Sequence, residues 1–209
     1  MRSLNKVFSN EDLLDFLRKS TLDGSHMFDI IEVIEMEWLF FDKVKGLSGR
    51  AFCQDDSSTF VNMRLAQYLA FDYKIVNSIK KDYRNLLDKG INPIEGKYIR
   101  MMEYTDKDLY ENIKDYIEVL SPIKENLLKK IRIILKTYNE EFARDFMVAN
   151  SYSRPNESKV KQVSKVDYFI SELSFLSLRT LWFIEDYLEK DKRFIEKIYI
   201  NTVKISEII

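Results

Sequence analysis

An all-α fold is what this sequence predicts, and three observations carry the prediction. Only 5 Gly and 3 Pro occur in 209 residues, and apolar residues (45%) outweigh charged ones (32%) with no low-complexity tract. Apolar side chains recur at i, i+3, i+4 and i+7 through most of the chain, the spacing of one helical face. At this length one domain, residues 1–209, is the expectation, a multi-helix bundle of about seven or eight helices.

The elements follow in order. Ser9 or Asn10 is placed to cap a helix over Glu11–Lys19, with Leu13, Leu14 and Leu17 at helical spacing, and Thr21–Ser25 breaks it. A second helix over about 27–44 sets Ile30, Ile34, Phe41 and Val44 on one stripe, and Glu37 falls on that stripe. Glu32 and Glu35 project to other faces. The connecting loop, 45–56, carries Gly46 and Gly49 and ends on Asp55 and Asp56; Asp56, Ser57 or Ser58 caps the next helix, about 59–87, which allows a break midway and stops at Gly90. Its inward stripe is Phe60, Arg64, Gln67 and Phe71, so an arginine and an amide alternate with aromatics.

Pro93 opens a segment ending near Tyr104, and Thr105 with Asp108 has capping-box spacing for another helix. Ser121–Pro122 starts a helix to about Phe146 with a dense Leu/Ile face, read as scaffold. Residues 149–165 form the longest polar irregular stretch and are the candidate lid. Ser164 with Asp167 caps a helix over about 166–189, with Glu172 beside its apolar stripe, and a last helix over about 191–208 closes the bundle.

Charge and cysteine content exclude several classes. Thirty-three Lys+Arg against 34 Asp+Glu leave a net charge of −1, without the positive field that nucleic acid or anionic lipid demands. The lone cysteine, Cys53, precludes an intramolecular disulfide, no apolar run is long enough to span a membrane, and no secretory leader is seen, so a soluble cytoplasmic protein is expected. One Cys and one His make a thiolate–histidine zinc site unworkable.

The candidate site gathers around Gly49–Gln67. A buried carboxylate costs several kcal/mol unless paired, so Glu37 needs a cation, with Arg64 the first choice and Arg50 the second. Two readings stand beside each other. In the first, Glu37, Asp55 and Asp56 supply acid–base chemistry while Arg50, Cys53, Gln54, Arg64, Gln67, Arg100, Glu103 and Glu172 line a pocket for a small polar molecule or peptide. That enzyme is cofactor-free or uses one hard metal ion on Glu37, Asp55 and Asp56; no cofactor is named by the residues. In the second, the charges are a structural network and the chain is an accessory module for a protein partner. Cys53 itself reads as a buried inert thiol, since the only histidine, His26, stands at the start of another helix.

The runs I-I-E-V-I-E-M-E-W-L-F-F-D-K-V, G-R-A-F-C-Q-D-D-S-S-T-F-V-N-M-R-L-A-Q and K-Y-I-R-M-M-E-Y-T resemble the bacterial domain of unknown function family 4125, with weaker likeness through E-L-S-F-L-S-L-R-T-L and N-T-V-K. The C-Q-D-D block with its T-F and M-R is the specific part. The resemblance implies motif positions at Glu37, Trp38, Arg50, Cys53, Gln54, Asp55, Asp56, Thr59, Phe60, Arg64, Gln67, Arg100, Glu103 and Glu172. It implies a small bacterial protein that accompanies peptide or natural-product tailoring genes, and it carries no activity. The chain departs from the family pattern at Ser48, where a second glycine precedes Gly49, and at Phe52, where a small residue is usual.

Overall fold

Helix starts in this chain are set by short polar side chains that accept from backbone N–H groups, and the computed structural model places one at almost every helix the sequence predicts. It describes residues 4–45, 49–151 and 154–209, and the backbone alone at Phe52, Val148 and Ala149. Gly46, Ser48 and the Phe52 side chain therefore lie outside the described residues, as do positions 152–153 of the candidate lid. Two compact units result, Met1–Ile91 with Glu196–Ile209, and Asn92–Ile195.

In the first unit a short α1 (Asn5–Phe8), absent from the sequence reading, precedes α2 (Glu11–Ser20), whose cap is Asn10. The side chain of Asn10 accepts from Asp12 N and Leu13 N. Helix α3 (Gly24–Lys43) starts earlier than expected because Asp23 accepts from His26 N at 2.9 Å. Ile30, Ile34 and Phe41 are buried on α3 as the stripe requires, with Trp38 and Phe40 beside them. The long third helix is two. Helix α4 (Ser57–Tyr68) is capped by Asp56, the chain turns over residues 69–72, and Asp72 caps α5 (Tyr73–Asp88) through Ile75 N at 2.9 Å. Helices α4 and α5 both pack on α3. Gly90, at φ +66°, takes the left-handed conformation that ends α5.

The second unit begins with α6 (Pro93–Thr105), where Asn92 caps and Pro93 occupies the first turn. Asp106, not Thr105, caps α7 (Lys107–Ile113), accepting from Leu109 N at 3.1 Å. Ser121 caps α8 (Pro122–Asp145), followed by α9 (Met147–Ser151). The helix expected over 166–189 is again two, α10 (Lys165–Leu173) capped by Ser164 and α11 (Leu178–Lys190) capped by Ser177. Helix α10 packs against α6 and α8, and α11 against α8. Gly96 lets α6 approach closely: a Cβ there would stand 2.1 Å from the Phe175 ring. The chain ends in α12 (Phe194–Ser206), which from Glu196 onward belongs to the first unit, where Asn201 donates to the Ala66 carbonyl at 3.2 Å.

The fold is thus all-α, and among the described residues no strand forms beyond an isolated bridge between Lys159 and Gln162. Seven or eight helices was too low a count. Asp72 and Ser177 each cap a new helix inside what periodicity alone joins, and the short α1 and α9 add to the number. Among the described residues no helix is long and apolar enough to cross a membrane.

Candidate functional site

Glu37 sits on the buried face of α3 with 1% exposure, where a bare carboxylate would be untenable, and α4 brings Arg64 to it. The guanidinium grips the carboxylate with two parallel bonds, Nε to Oε2 at 2.7 Å and Nη2 to Oε1 at 2.8 Å. Tyr83 of α5 donates its hydroxyl to Oε1 at 2.9 Å, and Arg64 also reaches the Tyr68 hydroxyl at 3.2 Å. Three helices are therefore joined at one ion pair. Around it Phe60 stacks on Phe41 (5.3 Å between centroids) and meets Trp38 edge-on at 5.0 Å.

The other residues of the 50–67 block have separate engagements. Arg50 donates from Nη2 to Asp42 Oδ1 (2.7 Å) and to the Gln54 carbonyl (2.6 Å), and from Nε to Asp55 Oδ1 (3.1 Å). Its bonds to Asp42 and then Asp55 hold the guanidinium above its ordinary pKa. Gln54, 1% exposed, gives its amide to the carbonyls of Phe41 (2.6 Å) and Val44 (3.0 Å), while its oxygen accepts from Ala51 N at 2.7 Å. It fastens the end of α3 to the 3₁₀ turn at Phe52–Asp55. Asp56 accepts from Thr59 N at 3.0 Å, and that backbone bond holds its carboxyl below the usual range. Gln67 is half-buried. Cys53 is exposed, not buried as expected, because the turn that buries Gln54 points its neighbour outward. Glu37, Asp55 and Asp56 thus face Arg64, Arg50 and a helix N-terminus respectively, and among the described residues no group of three His, Cys, Asp or Glu is arranged to hold a metal ion.

Arg100, Glu103 and Glu172 belong to the second unit. Arg100 donates to the Glu118 carbonyl at 2.7 Å and lies 5.5 Å over the Phe175 ring; burial lowers its pKa, and its Nε has no hydrogen-bond partner. Glu172 and Lys97, both buried, lie 3.5 Å apart, and Lys97 also donates to the Tyr168 hydroxyl at 2.9 Å. Glu103 is exposed on the margin of an open cleft of about 380 Å³ that the sequence reading did not anticipate.

That cleft is walled by Tyr104 of α6, Lys107 of α7, Arg132 and Lys136 of α8, Asp167 of α10, and Asn156 to Ser158. Asp167 is 3% exposed and pairs with Arg132 through Oδ1 and Nη2. Its other oxygen accepts from the Ser158 hydroxyl at 2.5 Å, and Ser158 in turn accepts from Ser164 N at 2.8 Å. Arg132 spreads over the Tyr104 ring at 5.0 Å, and burial pushes the Tyr104 phenol above its ordinary pKa, keeping it an O–H donor. The Nε–H of Arg132 is buried without a partner. Within the candidate lid, Lys161 N donates to the Thr105 carbonyl (3.1 Å) and Lys165 N to the Pro155 carbonyl (3.1 Å), which tie its described part to α6 and to itself. Arg132, Lys136 and Asn139 are spaced i, i+4, i+7 on α8; that polar face was the available signal, eclipsed by the Leu/Ile face opposite.

Fold and geometry together define an all-helical protein with one closed ionic cluster in its first unit and one open ionic cleft in its second. The chain belongs to the family described as "Protein of unknown function (DUF4125)", whose model matches residues 29–206. No curated protein and no solved structure matches it.

Proposed function

We propose that this protein binds a small polar molecule in the cleft between α6, α7, α8 and α10, and that the Glu37–Arg64 cluster holds the fold rather than a ligand. The observation that carries the reading is an open polar concavity of about 380 Å³ lined by charged side chains of both signs, with Glu103, Lys107, Lys136 and Glu157 exposed beside the Arg132–Asp167 pair. A volume of about 300–1,000 Å³ is the usual scale of a small-molecule site. Both oxygens of Glu37, by contrast, already accept charge-assisted bonds. Binding is the step common to an enzyme and to a carrier, so the reading applies to either.

A second reading, an accessory module for another protein, draws on Tyr116 and Val119 in the link from α7 to α8 and Ile123 in the first turn of α8, exposed by 83%, 89% and 61%.

The test is a melting-temperature screen of the whole chain with amino acids, dipeptides, dicarboxylates, sugar phosphates and nucleotides, since a ligand that binds the native state raises its stability by mass action. At least one class raises the melting temperature, and the rise disappears in Lys107→Ala/Lys136→Ala, whose side chains are exposed. A panel without effect, or a rise that survives the double substitution, overturns the proposal.

A further inference from the structure

Residues 154–162, within the candidate lid, bury almost nothing. Pro155 and Ser158 are half-buried and the others are exposed, Val160 by 81%. The segment is nonetheless folded on itself. Lys159 N donates to the Gln162 carbonyl at 2.7 Å and Gln162 N to that of Lys159 at 2.9 Å. Between them Lys161 takes φ +62°, a left-handed conformation uncommon for a residue with a side chain. Polar contacts hold the segment to the helices: Ser158 donates to Asp167 of α10, Asn156 accepts from Asn139 Nδ2 of α8 at 3.2 Å, Lys161 N donates to the Thr105 carbonyl of α6, and Arg154 lies 4.3 Å over the Tyr168 ring. Val163 and Ser164 are buried where the chain enters α10, Ser164 as its cap. Two of the groups that receive the segment are themselves poorly satisfied, since Asn139 Oδ1 and Asp167 Oδ1 are buried without a hydrogen bond although Asp167 pairs with Arg132. A buried polar atom in that state loses the bonds it would make to water without replacing them.

We propose that residues 154–162 form a strap that lifts off α8 and α10 as one piece, pivoting at Val163 and Ser164 while the helices stay folded. Its latch is the pair of bonds from Ser158 to Asp167 and from Asn139 to Asn156. Lifting gives up no buried apolar side chain and uncovers the Asn139 and Asp167 side chains to water, which supplies the bonds their Oδ1 atoms lack. It also parts Ser164 N from Ser158 Oγ and Lys165 N from the Pro155 carbonyl, and it takes Asn156, Glu157 and Ser158 out of the cleft wall. The strap thereby controls entry to the cleft, a role that rests on the cleft being the binding place; the lifting itself does not.

Amide hydrogen exchange of the full chain without ligand, followed residue by residue by NMR, tests the lifting. Lys161 N, Ser164 N and Lys165 N all lose their acceptors in the lifted state. They therefore share one protection factor, about a hundredfold or more below that of the buried amides of α8 and α10, and it does not fall in dilute urea because little surface is exposed. Ser158→Ala, at a half-buried position, raises all three rates about tenfold or more, the loss that goes with one hydrogen bond to a charged acceptor, and leaves rates within α11 unchanged. Asn156→Ala, which removes none of the three acceptors, raises all three by a smaller common factor. Three unequal protections, or a rise in Ser158→Ala confined to Ser164 N, would mean independent fraying and overturn the strap. Exchange of the three together with the core of α8 would overturn it too, since the segment would then open only when the whole unit unfolds. The ligand screen above decides the cleft separately.

Discussion

Two ionic clusters in one chain use the same residue types and satisfy them to different degrees. In the first unit, Arg64 meets Glu37 with both ends of its fork, Tyr83 adds a third bond, and 1% of the glutamate is exposed. In the second, Arg132 meets Asp167 with one nitrogen and rests on Tyr104, and its buried Nε–H has no hydrogen-bond partner. Both carboxylates are more than nine-tenths buried, so burial alone does not separate the two pairs. What separates them is whether the donors and acceptors are used up.

The sharpest way to break the comparison is Arg64→Ala. It strands Glu37 in the core, and loss of one partner of a buried pair costs about 3–5 kcal/mol. Urea denaturation should show a fall of that order; a change no larger than a surface substitution gives would mean the cluster is not holding the fold. Next comes a packing site of the second unit that is separate from its charges. In Gly96→Ala the new methyl meets the Phe175 ring, and overpacking costs about 1–3 kcal/mol, partly offset by alanine's better helix propensity. A melting temperature equal to or above that of the parent would show that α6 yields there.

The smallest effect is on pH. His26, the chain's one histidine, accepts from Leu22 N through Nδ1, and its Nε2 is buried without a partner. Burial holds its pKa below 6.5, against the opposing pull of Asp23, Asp29 and Asp72. The unfolded chain then takes up a proton at a pH where the folded chain resists it, so this contribution is complete above 6.5 and is lost as pH falls toward the folded value. Denaturation midpoints above and below 6.5 should differ in the parent and differ less in His26→Gln. An equal slope in both would remove the assignment.

Much of the first unit was legible from residue order. Glu37 shares a stripe with Ile34 and Phe41, and Arg64 shares one with Phe60, so a carboxylate and its mate stood out as charges on apolar faces. Gln54 was visible as an odd polar residue, but its role was not, because the carbonyls of Phe41 and Val44 need it only once α3 ends where it does. Cys53 came out on the wrong side because a 3₁₀ turn follows neither helical nor strand periodicity. The breaks before α5 and α11 were written in Asp72 and Ser177, yet apolar spacing continues across both. Least legible was the cleft, whose walls come from five separate stretches and whose Arg132 lies on a helix that reads as scaffold.

Hydrogen exchange, read segment by segment with and without the compound that raises the melting temperature most in the ligand screen, tests the central claim most directly. The account predicts slowed exchange at residues 103–107, 132–136 and 156–167, with residues 37–67 unchanged on ligand addition. Slowing confined to residues 37–67 would place the ligand at Glu37 and Arg64 and contradict it.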